Sequence, residues 1–376
     1  EIRASDWSSD VCSSDLAYSL DFCDAPISCH CWNKDGTMVA LCPNTSDLLI
    51  YKVDGKNTQL MYTLSEHTQL ISSCDWNHAD DSIVTCSHDR NAYVWKFDKD
   101  SNEWKKQLVL LKLDRAATYV RWSPDGKQFV CATGSKKLRI CHFEESQNWW
   151  QSMTLDNKHP TSLTAEFMPD NVHVISSATD RHMKYFTTDD DEAVKCKDGK
   201  KKTLNYCLAE FSCQGWCNAV TRSPSGEWIA MTSQDSYIRF IKSDELTQDS
   251  PPNRAHNIMG LPLLSLCFIS DKALIGAGFD CAPRLFVLEG DDWTDLGLID
   301  IPEIREKAGG SGGNAFASRA AVFGGKAVTK SEGIHNNIIL GVRVKGDAFT
   351  TCSNDGKIGI WPFSALKNHF KNKTLF

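Results

Sequence analysis

From about residue 17 to residue 366, short runs of alternating apolar and polar residues are broken repeatedly by one kind of turn. The clearest unit is Trp122-Ser-Pro-Asp-Gly126, entered by the alternating residues Tyr119 to Arg121 and left through Phe129 to Ala132. Alternation with a period of two marks strands that bury one face, and Pro, Asp and Gly supply the backbone geometry of a tight connection. A third strand then follows a Ser/Thr-Asp corner and ends in an aromatic residue. Asp89 to Trp95, Asp180 to Tyr185, Asp235 to Phe240 and Asp355 to Trp361 all follow this plan.

Similar cores recur at Trp32-Asn-Lys-Asp-Gly36, Trp76-Asn-His-Ala-Asp80, Phe167-Met-Pro-Asp-Asn171 and Arg222-Ser-Pro-Ser-Gly226. Weaker ones stand at Phe268-Ile-Ser-Asp271 and Val344-Lys-Gly-Asp347. Successive first residues of the cores lie 44, 46, 45, 55, 46 and 76 residues apart. A period of about 40–45 residues is the mark of four-stranded WD-repeat blades, and two intervals overrun it and therefore contain insertions. One blade cannot bury both faces of its sheet, so neighbours must stack around an axis, and the ring must close or leave strand edges bare.

The chain is thus expected to be all-β: a seven-bladed WD-repeat β-propeller over residues 17–366. A partly helical insertion is expected at about 301–334, between the last two blades, and a tail at 367–376. Ala17 to Phe22 is predicted to supply the outer strand of the last blade and latch the ring. Residues 1–16 are read as a non-native or disordered leader, because Asp6 to Leu16 (DWSSDVCSSDL) looks like translated sequencing adapter and has the composition of a disordered tail.

The second repeat carries His67, Ser87, Asp89 and Trp95. In a WD repeat, a His, a Ser or Thr, an Asp and a Trp form a buried hydrogen-bonded tetrad that satisfies polar groups at a crowded sheet corner. Ser, His and Asp also make up a catalytic triad, but burial in the blade favours the structural reading.

Composition narrows the function. The net charge of −7 argues against a duplex nucleic-acid binder, which carries a basic footprint. The 12 Trp and 17 Phe suit pleated, half-buried surfaces. Among 16 Cys no CxxC pair occurs, and Cys42, Cys86, Cys131 and Cys352 lie in apolar runs, so buried free thiols in a reducing compartment are expected. The most apolar stretch, Leu261 to Ile269, falls well short of the roughly 20 residues of a spanning helix. With no membrane span and no signal peptide expected, the cytoplasm is the default localisation.

Motifs that would carry catalysis fail on context. Gly309-Gly310-Ser311-Gly312-Gly313 fits the spacing of a nucleophile elbow but lacks the flanking strand and helix that strain the serine. No phosphate-cradling loop is present, and the histidines never pair with cysteines at zinc-site spacing; Cys213 and Cys217 around Trp216 come nearest. No cofactor, no metal and no catalytic residue is therefore expected. Lys195 to Lys202 (KCKDGKKK) reads as a solvated loop, or as a docking patch for an acidic partner. In the insertion, Asn314 is a candidate N-cap, and Phe316, Ala320 and Phe323 share one helical face. Such a helix on glycine-rich arms either binds a groove on a partner or packs back on its own ring.

Several strings go beyond the generic repeat. Ala25-Pro-Ile-Ser-Cys-His-Cys-Trp-Asn-Lys-Asp-Gly36, His67-Thr-Gln-Leu-Ile-Ser-Ser-Cys-Asp-Trp-Asn77, Asp89-Arg-Asn-Ala-Tyr-Val-Trp95, Ala117-Thr-Tyr-Val-Arg-Trp-Ser-Pro124 and His159-Pro-Thr-Ser-Leu-Thr resemble the family of subunit 1 of the actin-related protein 2/3 complex. The resemblance runs from about Ala17 to Leu366. It implies a non-catalytic scaffold in an assembly that nucleates branched actin filaments, with ATP held by the actin-related subunits. The implied partners are the other subunits of that complex, the actin filament and nucleation-promoting factors; the implied place is the cytoplasm and its actin cytoskeleton.

The resemblance also implies that the insertion contacts filament or promoting factor, which by position assigns Phe316, Arg319, Val322 and Phe323 as protein-binding residues. Three departures stand out: Cys31, where the family carries a smaller residue; Ser135-Lys136, where the third repeat lacks its corner Asp; and Pro362 after Trp361. The competing readings are a general WD-repeat adaptor in another assembly, and a propeller enzyme with convergent polar residues at the mouth of the ring.

Overall fold

The computed structural model describes residues 16–156, 159–190, 192–198, 201–246, 254–299, 333–371 and 373–376. Seven four-stranded antiparallel meanders follow one another around a ring. Blade 1 comprises Cys29–Trp32, Met38–Cys42, Asp47–Asp54 and Asn57–Ser65; blade 2, Ile71–Trp76, Ile83–Ser87, Ala92–Asp98 and Glu103–Val109. Blade 3 comprises Ala117–Trp122, Gln128–Thr133, Lys137–Glu144 and Trp149–Asp156; blade 4, Ser162–Phe167, His173–Ala178, His182–Thr187 and Cys207–Ser212. Blade 5 comprises Cys217–Arg222, Trp228–Ser233, Tyr237–Lys242 and Arg254–Asn257; blade 6, Leu263–Ser270, Ala273–Gly278, Arg284–Glu289 and Asp292–Leu298. Blade 7 takes Ile339–Lys345, Ala348–Ser353 and Lys357–Pro362 from the end of the chain and Tyr18–Asp21 from its start.

That last pairing closes the ring. Tyr18 faces Ile360, Leu20 faces Ile358 and Asp21 faces Lys357 in antiparallel register. Gly356 makes the close approach possible: its φ of +78° suits glycine, and a Cβ there would collide with the carbonyl oxygen of Cys23. Beneath the latch, Leu20, Ile358 and Ile360 pack against Ile27, Val39 and Leu41, so the seam between blades 7 and 1 is as apolar as the others.

Burial explains the sequence pattern. The second strand of each blade is covered by a neighbouring sheet on both faces, so Ile83–Ser87 and Trp228–Ser233 are buried at every position and read as continuous apolar runs. Outer strands keep one face in water, and Asn57–Ser65 alternates accordingly. The core is therefore a series of seams between blades; Val130 and Ile140 of blade 3 against Phe167, Val174 and Phe186 of blade 4 form one of them.

A bulge recurs where the first two strands of a blade meet, as between Ile71 and Ser73, Ala117 and Tyr119, and Cys217 and Ala219. It turns the intervening side chain toward the next blade. Ser28 Oγ donates to the carbonyl of Ile71 at 3.1 Å, Ser72 to Ala117 at 2.8 Å, Thr118 to Ser162 at 2.7 Å and Asn218 Nδ2 to Leu263 at 2.8 Å. These bonds link consecutive inner strands around the channel. Leu163, Leu264 and Leu340 stand at the equivalent positions of blades 4, 6 and 7, where no such bond is possible.

A short helix, Phe363–His369, crosses the boundary expected at 366/367. Ala365, Leu366 and, beyond it, Leu375 pack into the core shared by blades 6 and 7. Lys195 to Lys202 is not the loop expected. Val194–Asp198 and Lys201–Asn205 pair as a two-stranded ribbon. Residues 1–15 of the expected leader and the insertion from 300 to 332 lie outside the described residues.

Candidate functional site

At the corner of blade 2, His67 Nδ1 donates to Asp89 Oδ2 at 2.8 Å, and the backbone N–H of Thr68 donates to the same carboxylate oxygen at 3.1 Å. The hydroxyl next in the chain belongs to Thr85. It lies 2.9 Å from His67 Nε2 and accepts from Trp95 Nε1 at 3.0 Å, so its own proton is free to go to the imidazole. Ser87, the hydroxyl expected from sequence, turns away. Its Oγ donates to the carbonyl of Gln69 at 2.9 Å and accepts the N–H of Asp89 at 3.1 Å. The serine thus makes no pair with His67, and the buried set has the geometry of a strut.

The reason for the exchange is ladder register. Trp95 pairs with Ile83; Thr85 is two residues along that strand and Ser87 four, about 7 and 13 Å away respectively at strand rise. Only Thr85 is within reach of the indole.

Blade 7 holds a second complete set that the sequence reading did not single out. His335 Nε2 lies 2.7 Å from Thr351 Oγ1, Trp361 Nε1 donates to that hydroxyl at 2.9 Å, and His335 Nδ1 faces Asp355 Oδ2 at 3.2 Å. Its signal was available: His335 precedes Asp355 by 20 residues, close to the 22 between His67 and Asp89. The long insertion before it breaks the spacing that would have drawn attention to it. Blade 4 keeps the first pair, His159 to Asp180 at 2.7 Å, with Phe186 at the tryptophan position.

In both complete corners the carboxylate is partly desolvated, which raises its pKa, but the bonds it receives outweigh that. For Asp89 these come from His67, Asn91 and Thr68; for Asp355 from His335, Asn336 and Lys357; both acids sit below the ordinary carboxylate range.

The channel of the ring is polar. Arg121 Nη1 donates to Asp75 Oδ1 at 2.8 Å and its guanidinium lies 3.5 Å from Glu166. Asp75 also accepts the Trp122 N–H at 2.9 Å, and Glu166 the Thr221 hydroxyl at 3.0 Å. These carboxylates belong to a network spanning four consecutive blades and are engaged with donors, not poised near a nucleophile.

Cys213 and Cys217 are both buried, and hydrogen bonding with Cys217 holds the Cys213 thiol below its ordinary pKa. Fourteen cysteines among the described residues are free thiols. Among the described residues no group of three or more His, Cys, Asp or Glu could hold a metal, and no helix is long and apolar enough to cross a membrane.

Each blade being a meander, the connections from an outer strand to the next inner strand all emerge on one face of the ring. The largest exposed apolar side chains of that face stand in two adjacent connections: Trp216 (56% exposed), then Met259 (86%) and Leu261 (52%). The insertion leaves and returns through the following connection. Ile299 and Ile334 at its two ends are buried in the core of blades 6 and 7, which fixes where it departs. Phe316, Arg319, Val322 and Phe323, with the N-cap candidate Asn314, lie outside the described residues. The lysine ribbon links the third and fourth strands of blade 4 and so belongs to the opposite face.

Residues 58–96 and 205–242 match the WD domain, G-beta repeat. The first match begins on the outer strand of blade 1 and the second just ahead of that of blade 4, and both end on the third strand of the next blade, so the sequence repeat is offset by one strand from the structural blade. Over 92% of its length the chain is 33% identical to actin-related protein 2/3 complex subunit 1B of Arabidopsis thaliana, covering 97% of that protein. It is 34% identical to subunit 1A-A of Xenopus laevis, over 92% of this chain and 96% of the relative. Subunit 1 of Schizosaccharomyces pombe is 28% identical over 88% of this chain and 95% of its own length. With the seven-bladed ring, the two matched repeats and this end-to-end similarity, the chain belongs to the actin-related protein 2/3 complex subunit 1 family.

Proposed function

We propose that the chain is the non-catalytic scaffold subunit of an actin-related protein 2/3 complex, supporting nucleation of branched actin filaments through protein–protein contacts. The observation that carries this reading is similarity to named subunits over nearly the whole of this chain and of theirs. The chemistry agrees with it: the His, Asp and hydroxyl groups that could imitate a triad are tied into two buried struts.

In this reading the ring is a rigid platform and the other subunits of the complex dock on its outer surfaces. The insertion works on the face that carries Trp216, Met259 and Leu261, where Phe316, Arg319, Val322 and Phe323 contact the actin filament or a nucleation-promoting factor. Aromatic and Arg side chains suit that role, because such residues anchor protein interfaces. The place of action is then the cytoplasmic actin cytoskeleton.

Replacing Phe316 and Phe323 together by Ala tests the contact. Branching activity of the reconstituted complex should fall while the melting midpoint of the subunit stays put. A loss of several kcal/mol of stability, as expected for two buried phenylalanines, would instead make the segment part of the core.

A further inference from the structure

We infer that the channel binds a small oxyanion, of the phosphate or carboxylate class, on Arg343 and Tyr119. Arg343 projects from the inner strand of blade 7, is only 9% exposed, and lines both halves of the channel. Its Nη1 donates to the carbonyl of Val342 at 3.0 Å and its Nη2 to the hydroxyl of Tyr119 at 3.4 Å. Its Nε is buried without a hydrogen-bond partner, and among the described residues no carboxylate lies within ion-pair distance of it. The nearest carboxylates are already engaged: Asp75 and Glu166 receive Arg121, the Trp122 N–H and the Thr221 hydroxyl. Counting Arg222, which borders the same network, three cations face two carboxylates.

A buried, uncompensated guanidinium is costly, and its planar fork matches the geometry of an oxyanion. The cavity beside it, about 250 Å³, is reached by inner strands of all seven blades. Tyr119, whose hydroxyl accepts from Arg343, keeps its own proton to donate to the same guest.

The test is calorimetric titration of the full-length chain with inorganic phosphate and, separately, with acetate, at fixed ionic strength and pH. Saturable binding of either anion is expected, and which of them binds tells a free phosphate-like guest from a carboxylate one. Arg343→Met should weaken it by at least about tenfold, the loss of one charge-assisted pair. Arg115→Ala, on an exposed connection of blade 3, should leave it unchanged. Should Arg343→Met fail to fold, Tyr119→Phe serves instead and should weaken binding severalfold. Saturable binding of neither anion at millimolar concentration, or equal affinity in the wild type and both channel variants, would overturn the site.

Discussion

In blade 2 the corner between strands joins His67, Thr85, Asp89 and Trp95 in one hydrogen-bonded chain; in blade 3 the same four register positions are Leu113, Cys131, Ser135 and Cys141. The backbone barely differs. Arg90 and Lys136 occupy equivalent positive-φ corners, at +74° and +59°, and both inner hairpins carry the same bulge. What changes is the currency of packing. Leu113, Cys131 and Cys141 are buried among Val84, Val120, Phe129 and Trp150, with no polar atom left to satisfy except two weak thiols. Ser135 has given up the strut and receives only the N–H of Arg115, at 2.9 Å. All four positions differ together, which avoids the cost of a half-kept set: removing one partner of a buried hydrogen bond strands the other, whereas removing all of them is nearly neutral.

The comparison breaks most sharply at the hydroxyl. Thr85→Val keeps the shape of the side chain but strands both His67 Nε2 and Trp95 Nε1, so a loss of about 2–4 kcal/mol is expected in denaturant unfolding. Adding Trp95→Phe should then cost less than the sum of the single changes, with a coupling of about 0.5–3 kcal/mol, because one stranded donor has gone. Additive costs would mean that the four residues are not one unit.

Acid should separate the blades next. Asp89 and Asp355 are held below the ordinary carboxylate pKa in the folded state, despite burial, by the donors around them. A depressed folded pKa means the stability is fully present above the unfolded value, about 3.9, and is lost as pH falls through the folded value. The melting midpoint of the wild type should therefore drop more steeply below about pH 4 than that of an Asp89→Asn, Asp355→Asn double variant. Parallel profiles would remove these two corners from the acid response. The smallest effect belongs to blade 3, where Ser135→Ala forfeits one partly exposed hydrogen bond and should cost no more than about 1 kcal/mol.

Much of this architecture was legible before any coordinates. The beat of 44 to 46 residues survives because a Pro, Asp or Gly turn recurs in each blade, and the 55-residue overrun marked a real excursion, the ribbon of blade 4. The ribbon of blade 4 and the insertion before blade 7 emerge on opposite faces of the ring, which spacing alone could not reveal. The corner residues were legible only in part. His67, Asp89 and Trp95 follow the repeat, but choosing between Thr85 and Ser87 needs the pairing register of two strands. The side-chain bonds from Ser72, Thr118 and Asn218 were illegible for the same reason, since they depend on a bulge that sequence does not mark. Arg343 gave no signal at all. Its weak repeat, Val344-Lys-Gly-Asp347, gave no hint that the preceding residue faces a shared channel.

The claim on which the rest depends is that this propeller works as one member of a fixed assembly. Affinity purification of the tagged chain from lysate of its native cells, with mass identification and quantitation of what comes with it, tests that claim most directly. Recovery with two actin-related proteins at equal stoichiometry is the predicted result. Recovery as a free monomer, or with ligase or coat subunits and no actin-related protein, would contradict it.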